Sequence, residues 1–160
     1  MMLSTHAATM PRRVPPNPPP NPPPPDAEPG TSRIAWLGPI EDEDHILVLG
    51  GQGPELMCAL LHAGATNVTH LRGHERPEPD SASLVIVPRI PSLDWLATAL
   101  PSIRRALTSG GRLVLHASGQ VATQAQIRRM LTLLGLTAIH ARATPDGHVL
   151  SAALPDRKFA

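Results

Sequence analysis

Tyrosine is absent from the chain, phenylalanine occurs once and tryptophan twice, so there is almost no aromatic surface. The aromatic residues are Trp36, Trp95 and Phe159. Proteins that hold nucleic acid rely on aromatic stacking faces or a basic stripe. Here the formal charge is only +1 and the one lysine is Lys158, so no nucleic-acid platform is evident. A single cysteine, Cys58, excludes an internal disulfide and any cysteine-based metal spacing. Its apolar neighbours predict a buried, inert thiol. No apolar run reaches the ~18 residues of a membrane span. Residues 1–10 lack the apolar stretch of a secretory signal, and Arg12-Arg13 precedes prolines, not an apolar segment. A cytoplasmic location without membrane attachment is therefore expected.

What the chain has in excess is proline. More than half of its 20 prolines fall between Pro11 and Pro29. Proline fixes φ and lacks the amide proton, so this run forms neither helix nor sheet ladder. Residues 1–30 are expected to be a disordered, solvated tail sampling polyproline II. Pro-x-x-Pro spacing also makes that tail a candidate ligand for aromatic grooves. Residues 31–44 form a transition, in which Ile34, Trp36, Leu37 and Ile40 are apolar enough to dock and Glu41 to Asp44 read as a solvated acidic turn. Residues 45–160 remain, enough for one domain of about 115 residues.

From His45 the pattern changes. Ile46-Leu47-Val48-Leu49 is a continuous apolar run, as expected of a parallel strand buried on both faces. It ends in Gly50-Gly51-Gln52-Gly53, after which Pro54 opens a helix that Gly64 closes. Asn67 to Leu71 reads as a second strand, completing a βαβ unit. Arg72 to Asp80 is loop, and Leu84 to Val87 the next strand. Ser92 N-caps a helix that Pro101 is expected to break or kink, leaving Ile103 to Leu107 as a second piece. Ser109-Gly110-Gly111 is expected to turn into a strand over Arg112 to His116. A helix capped by Thr123 follows. Leu136 to Ala141 and His148 to Leu154 then form a hairpin about Thr144-Pro145-Asp146-Gly147. The expected fold is α/β, with a mixed, mostly parallel sheet.

Three segments in this order resemble the class I S-adenosylmethionine-dependent methyltransferase family over roughly residues 45–154. They are Ile46 to Gly53, similar to the first strand and glycine-rich loop; Leu107 to Leu115, similar to the turn and strand that follow the central helix; and Leu134 to Thr137 running into the Asp146-Gly147 hairpin, similar to the closing strand pair. The resemblance implies a Rossmann-like methyltransferase-type sheet with that C-terminal antiparallel hairpin, S-adenosylmethionine as cofactor and methyl transfer to an acceptor that the residues do not name. It also implies that the family's third strand is missing, because Arg72 to Ser83 is far shorter than the ~30 residues of a βαβ unit.

The cofactor's amino-acid end requires small residues that let the backbone approach. Its ribose hydroxyls require an acceptor near the tip of the second strand. The residues matching these needs are Gly50, Gly51 and Gly53, with Arg72 at the strand tip, Glu75 as the nearest carboxylate and Pro88 after the third strand of the chain. Val48 and Ser83 replace acidic residues common in the family, and Pro88-Arg89-Ile90-Pro91 lacks the polar and aromatic ends of the amino-methylating tetrad. Catalytic residues are therefore not assigned. Two readings stand: a methyltransferase with a depleted cofactor motif, or an inactive scaffold that recruits a protein partner. Eight histidines invite a metal, but no pair has zinc-site spacing. Arg104-Arg105 and Arg128-Arg129 read as solvated helix faces.

Overall fold

The computed structural model describes residues 37–51, 53–72 and 75–157. The proline tail, Ile34, Trp36, Gln52, Gly73 and His74 lie outside the described residues. Six strands form one sheet in the order β2-β1-β3-β4-β6-β5. The strands are β1 (His45–Leu49), β2 (Asn67–Leu71), β3 (Ala82–Val87), β4 (Leu107–Ser118), β5 (Thr137–Thr144) and β6 (Gly147–Ala153). β2, β1, β3 and β4 run parallel, while β6 pairs antiparallel with both β4 and β5. The helices are α1 (Gly53–His62), α2 (Leu93–Ala106) and α3 (Gln124–Leu133).

The apolar runs follow from burial on both faces. Leu47, Leu49, Val85, Val87, Leu113 and Leu115 pack with the buried residues of α2 and α3. The alternate residues Ile46, Val48, Leu84, Ile86 and Val114 pack with Leu56 and Leu60 of α1. Leu37 is buried in this second cluster and Ile40 packs against it. With helices on both faces, neither face supplies the polar alternation of a half-exposed strand.

Four expectations need correction. First, α2 runs unbroken through Pro101. Pro101 is exposed, whereas Leu96, Leu100, Ile103 and Ala106 are buried on the opposite side. Their burial offsets the one hydrogen bond that proline removes. Second, β4 begins at Leu107, and the glycine pair sits inside it as an irregularity. Ala82 pairs with Leu107 but Leu84 with Arg112, so the strand loops out between these points. Third, the acidic turn is not wholly solvated. Asp44 Oδ1 accepts from Ser83 Oγ at 2.8 Å, and the Arg112 guanidinium lies 3.6 Å from its other oxygen. Ser83 also accepts from the His45 amide, so it ties down the start of β1. Fourth, Cys58 is exposed. It lies on the solvent side of α1, half a turn from the buried pair Leu56 and Leu60.

Helix starts follow their signals. Ser92 Oγ accepts from the Trp95 amide at 3.1 Å. Thr123 and Gln126 form a reciprocal capping box, each side chain accepting from the other's backbone N–H. Thr123→Ala is expected to cost about 1 kcal/mol. Urea unfolding checks this through a lower midpoint at unchanged slope.

Candidate functional site

The carboxyl ends of β1, β2, β3 and β4 point the same way, and ligands of open α/β sheets bind at such an end. Gly50 follows β1 directly with φ +97°, a conformation that suits glycine. His70, on β2, holds this turn: its Nε2–H donates to the Gly50 carbonyl at 2.8 Å. A carbonyl only accepts, which fixes the ring nitrogen as the donor. A Cβ on Gly50 would stand 3.8 Å from the Arg89 carbonyl, so the loop after β3 lies against the turn. Farther along, the Ile90 amide donates to the His116 carbonyl at 3.2 Å and joins that loop to β4. His116 Nε2 lies 3.3 Å from Thr144 Oγ1.

Beside Gly50 opens a cavity of about 290 Å³. Its walls include Leu49, Gly50, Leu71, Arg72, Glu75 and Trp95. Glu75 reaches the wall because the loop folds into a closed turn. Its amide donates to the Arg72 carbonyl at 2.9 Å, and the Arg72 amide donates to Glu75 Oε2 at 3.1 Å. One carboxylate oxygen is thus committed to the backbone. Trp95 stands in the first turn of α2, set there by the Ser92 cap, and Ala99 continues the wall one turn on.

Of the residues singled out in the sequence, the cavity brings together Gly50, Arg72 and Glu75. Gly51 adjoins it through the chain, and apart from its chain neighbours no atom of the described residues lies within 4 Å of the place a Cβ would occupy. Gly53 begins α1. Pro88 ends β3 and does not line the cavity. Trp95 was missed as a wall residue. Its signal was rarity: an aromatic residue in a chain nearly free of them, three positions after a helix cap. His148 has its Nε2 buried without a hydrogen-bond partner, opposite Ala117 on β4. Among the described residues no group of histidine, cysteine, aspartate or glutamate converges on a metal position.

No protein-family model and no curated protein sequence matches the chain. Solved structures do. Phosphoethanolamine N-methyltransferase 2 of Haemonchus contortus, in complex with phosphomonomethylethanolamine and S-adenosylhomocysteine, superposes with a TM-score of 0.61 at 14% identity, over 82% of this chain and 54% of that one. Its complex with S-adenosylmethionine gives 0.59 at 14% identity, over 80% and 52%. An S-adenosylmethionine-dependent methyltransferase from Mesorhizobium loti gives 0.62 at 14% identity, over 78% and 97%. The fold is that of the class I S-adenosylmethionine-dependent methyltransferases. The chain spans about half the length of the Haemonchus enzyme.

Within this methyltransferase fold the three resembling segments occupy the expected places. The first is β1 with its glycine turn, the second runs from the end of α2 into β4, and the third closes the sheet as β5 and β6. The shortening is also visible. Among the described residues β2 stands at the sheet edge, and residues 72 and 75–81, between β2 and β3, include no strand or helix. That short connection leaves the cavity bounded by a loop and by α2.

Proposed function

We propose that the chain is an S-adenosylmethionine-dependent methyltransferase-like protein whose cofactor site is the cavity beside Gly50. One observation carries the reading: Glu75, whose Oε2 accepts from the Arg72 amide, lines that cavity together with Gly50 of the glycine turn and Trp95. These residues fit the three parts of the cofactor. Gly50 and Gly51 admit the amino-acid end, Glu75 accepts from the ribose hydroxyls with its remaining oxygen, and Leu71, Trp95 and Ala99 offer the base an apolar wall. Arg72 lines the same cavity. A volume of about 290 Å³ lies just below the ~300 Å³ at which ligand pockets begin, as suits a cleft open to solvent.

When bound, the cofactor supplies a methyl group on a positively charged sulfur. What the chain contributes is position. The loop after β3, joined to β4 by the Ile90 to His116 hydrogen bond, and the loop after β4 hold an acceptor against the mouth of the cavity. In-line transfer depends chiefly on alignment and exclusion of water, so a dedicated base is not required. The Haemonchus enzyme's phosphobase ligand is a property of that enzyme, and the acceptor here is left unassigned. A cytoplasmic location belongs to the same reading; among the described residues, no helix is long and apolar enough to cross a membrane.

A second reading, a scaffold without cofactor, draws on the oxygen of Glu75 already held by the Arg72 amide. Calorimetric titration of S-adenosylhomocysteine into the full chain separates the two. Micromolar binding, weakened more than about tenfold by Glu75→Gln, is the expected result. No heat and no thermal shift would leave the scaffold.

A further inference from the structure

The two edges of the sheet are built differently. β5 carries Arg142, an irregular register between Thr137 and His140, and a positive φ at Ala138. Charge and irregularity are the devices by which edge strands avoid pairing. β2 has neither. Its five residues, Asn67-Val68-Thr69-His70-Leu71, keep regular register with β1 and include no charge and no proline. Among the described residues no strand lies along its outer side.

An apolar flank overhangs this edge. Leu56 and Leu60 of α1 face the sheet, so the 100° step per residue puts Met57 and Leu61 on one flank of the helix. In a right-handed β1–α1–β2 unit, that flank is the one on the outer side of β2. Leu61 is 53% exposed there, one of two exposed large hydrophobic residues among those described. The opposite flank carries Glu55 and His62.

The ends of the edge differ in charge. Arg72, exposed, follows β2 at its upper end. At the lower end Thr66 donates its hydroxyl to the Asp42 carbonyl at 2.8 Å, and Asp42 Oδ1 lies 3.8 Å from where a Cβ on Gly64 would be.

We propose that β2 pairs antiparallel with β2 of a second copy, about a two-fold axis at Thr69. Thr69 then faces its own copy, Val68 faces the partner's His70, and Arg72 faces the partner's Thr66, beside the partner's Asp42. Two Arg72–Asp42 ion pairs result, one on each side of the axis. The helices agree with this register. Strands lie about 4.8 Å apart, so a helix seated between β1 and β2 stands about 5 Å from the axis. Its copy is then about 10 Å away, the distance at which helices pack. Both apolar flanks meet in that contact, with Leu61 buried against the partner. The pairing continues the sheet from six strands to twice that number and removes its unprotected edge.

Sedimentation of the full chain over a concentration series tests the pairing. The expected species is a dimer of the 17.0 kDa chain. Leu61→Glu and Arg72→Glu are each expected to raise the dissociation constant more than about tenfold, and Arg72→Glu combined with Asp42→Arg to restore it. Both single variants change exposed side chains, and unchanged circular dichroism shows that they remain folded. In a Cys58→Ser background, Thr69→Cys is expected to oxidise to a covalent dimer, because directly opposed residues of an antiparallel pair stand within disulfide reach. Ala143→Cys on the other edge is expected not to. A monomer at all concentrations overturns the proposal, as does a dimer that ignores Leu61→Glu or fails to cross-link at Thr69, since another surface or another partner then covers the edge.

Discussion

Gly147→Ala is expected to destabilise the domain by about 3 kcal/mol or more, placing it among the severe single substitutions. Gly147 opens β6 and pairs with Ser118 on one side and Thr144 on the other. Its φ is +152°, and a Cβ built there would overlap the Ala117 carbonyl and stand 2.8 Å from Ser118 Cα. Those are backbone atoms of the longest strand, so no side chain can swing aside. Relief requires β6 to separate from β4 at the start of the hairpin. A domain of this size has about 5–15 kcal/mol in total, so urea unfolding should show a much lower midpoint. Asp146→Ala, exposed one residue earlier, is the control and should change stability by less than about 0.5 kcal/mol. Similar midpoints for the two variants would mean that the β4–β6 ladder yields easily.

That hairpin was legible in the sequence because the chemistry specifying it is local. A Pro-Asp-Gly turn between two apolar runs is a statement about neighbouring residues, and the strands lie within three residues of where it places them. β1 and β2 were legible for the same reason. Pro101 was not, because a helix continues through proline only if burial elsewhere compensates, and that burial depends on Leu96, Leu100 and Ile103 meeting β4. Cys58 misled through its neighbours. Leu56 and Leu60 are indeed buried, yet the helical step carries Cys58 around to solvent.

The candidate site divides along the same line. Its glycines announce themselves, since a strand ending in Gly50-Gly51 must turn sharply. The carboxylate does so less plainly. Glu75 is marked in the sequence only as the first carboxylate after β2, and a turn closed by two hydrogen bonds with Arg72 sets it at the cavity. Trp95 becomes a wall only because the fold brings the first turn of α2 beside Gly50 and Glu75, which are distant in sequence. Likewise the unpaired edge of β2 is a property of strand order, which is settled by contacts distant in sequence.

Gly51→Val is expected to leave the fold intact and to weaken S-adenosylhomocysteine binding more than about 100-fold, or about 2.7 kcal/mol. The separation of these effects is what makes the variant informative. Apart from its chain neighbours, no atom of the described residues lies within 4 Å of the Gly51 Cβ position, and its φ is outside the positive region that strains other residues. Valine there disturbs only what approaches from outside. If the amino-acid end of the cofactor rests on this turn, the branched side chain occupies its place. Gly50→Ala would not discriminate, because its φ of +97° strains any other residue whether or not a ligand binds. Calorimetry and thermal melting on the same preparation give the two readouts. Unchanged melting with lost binding assigns the turn to the ligand. Unchanged binding would make the glycines a device for turning the chain, and the cavity beside Glu75 and Trp95 would then hold its ligand without them.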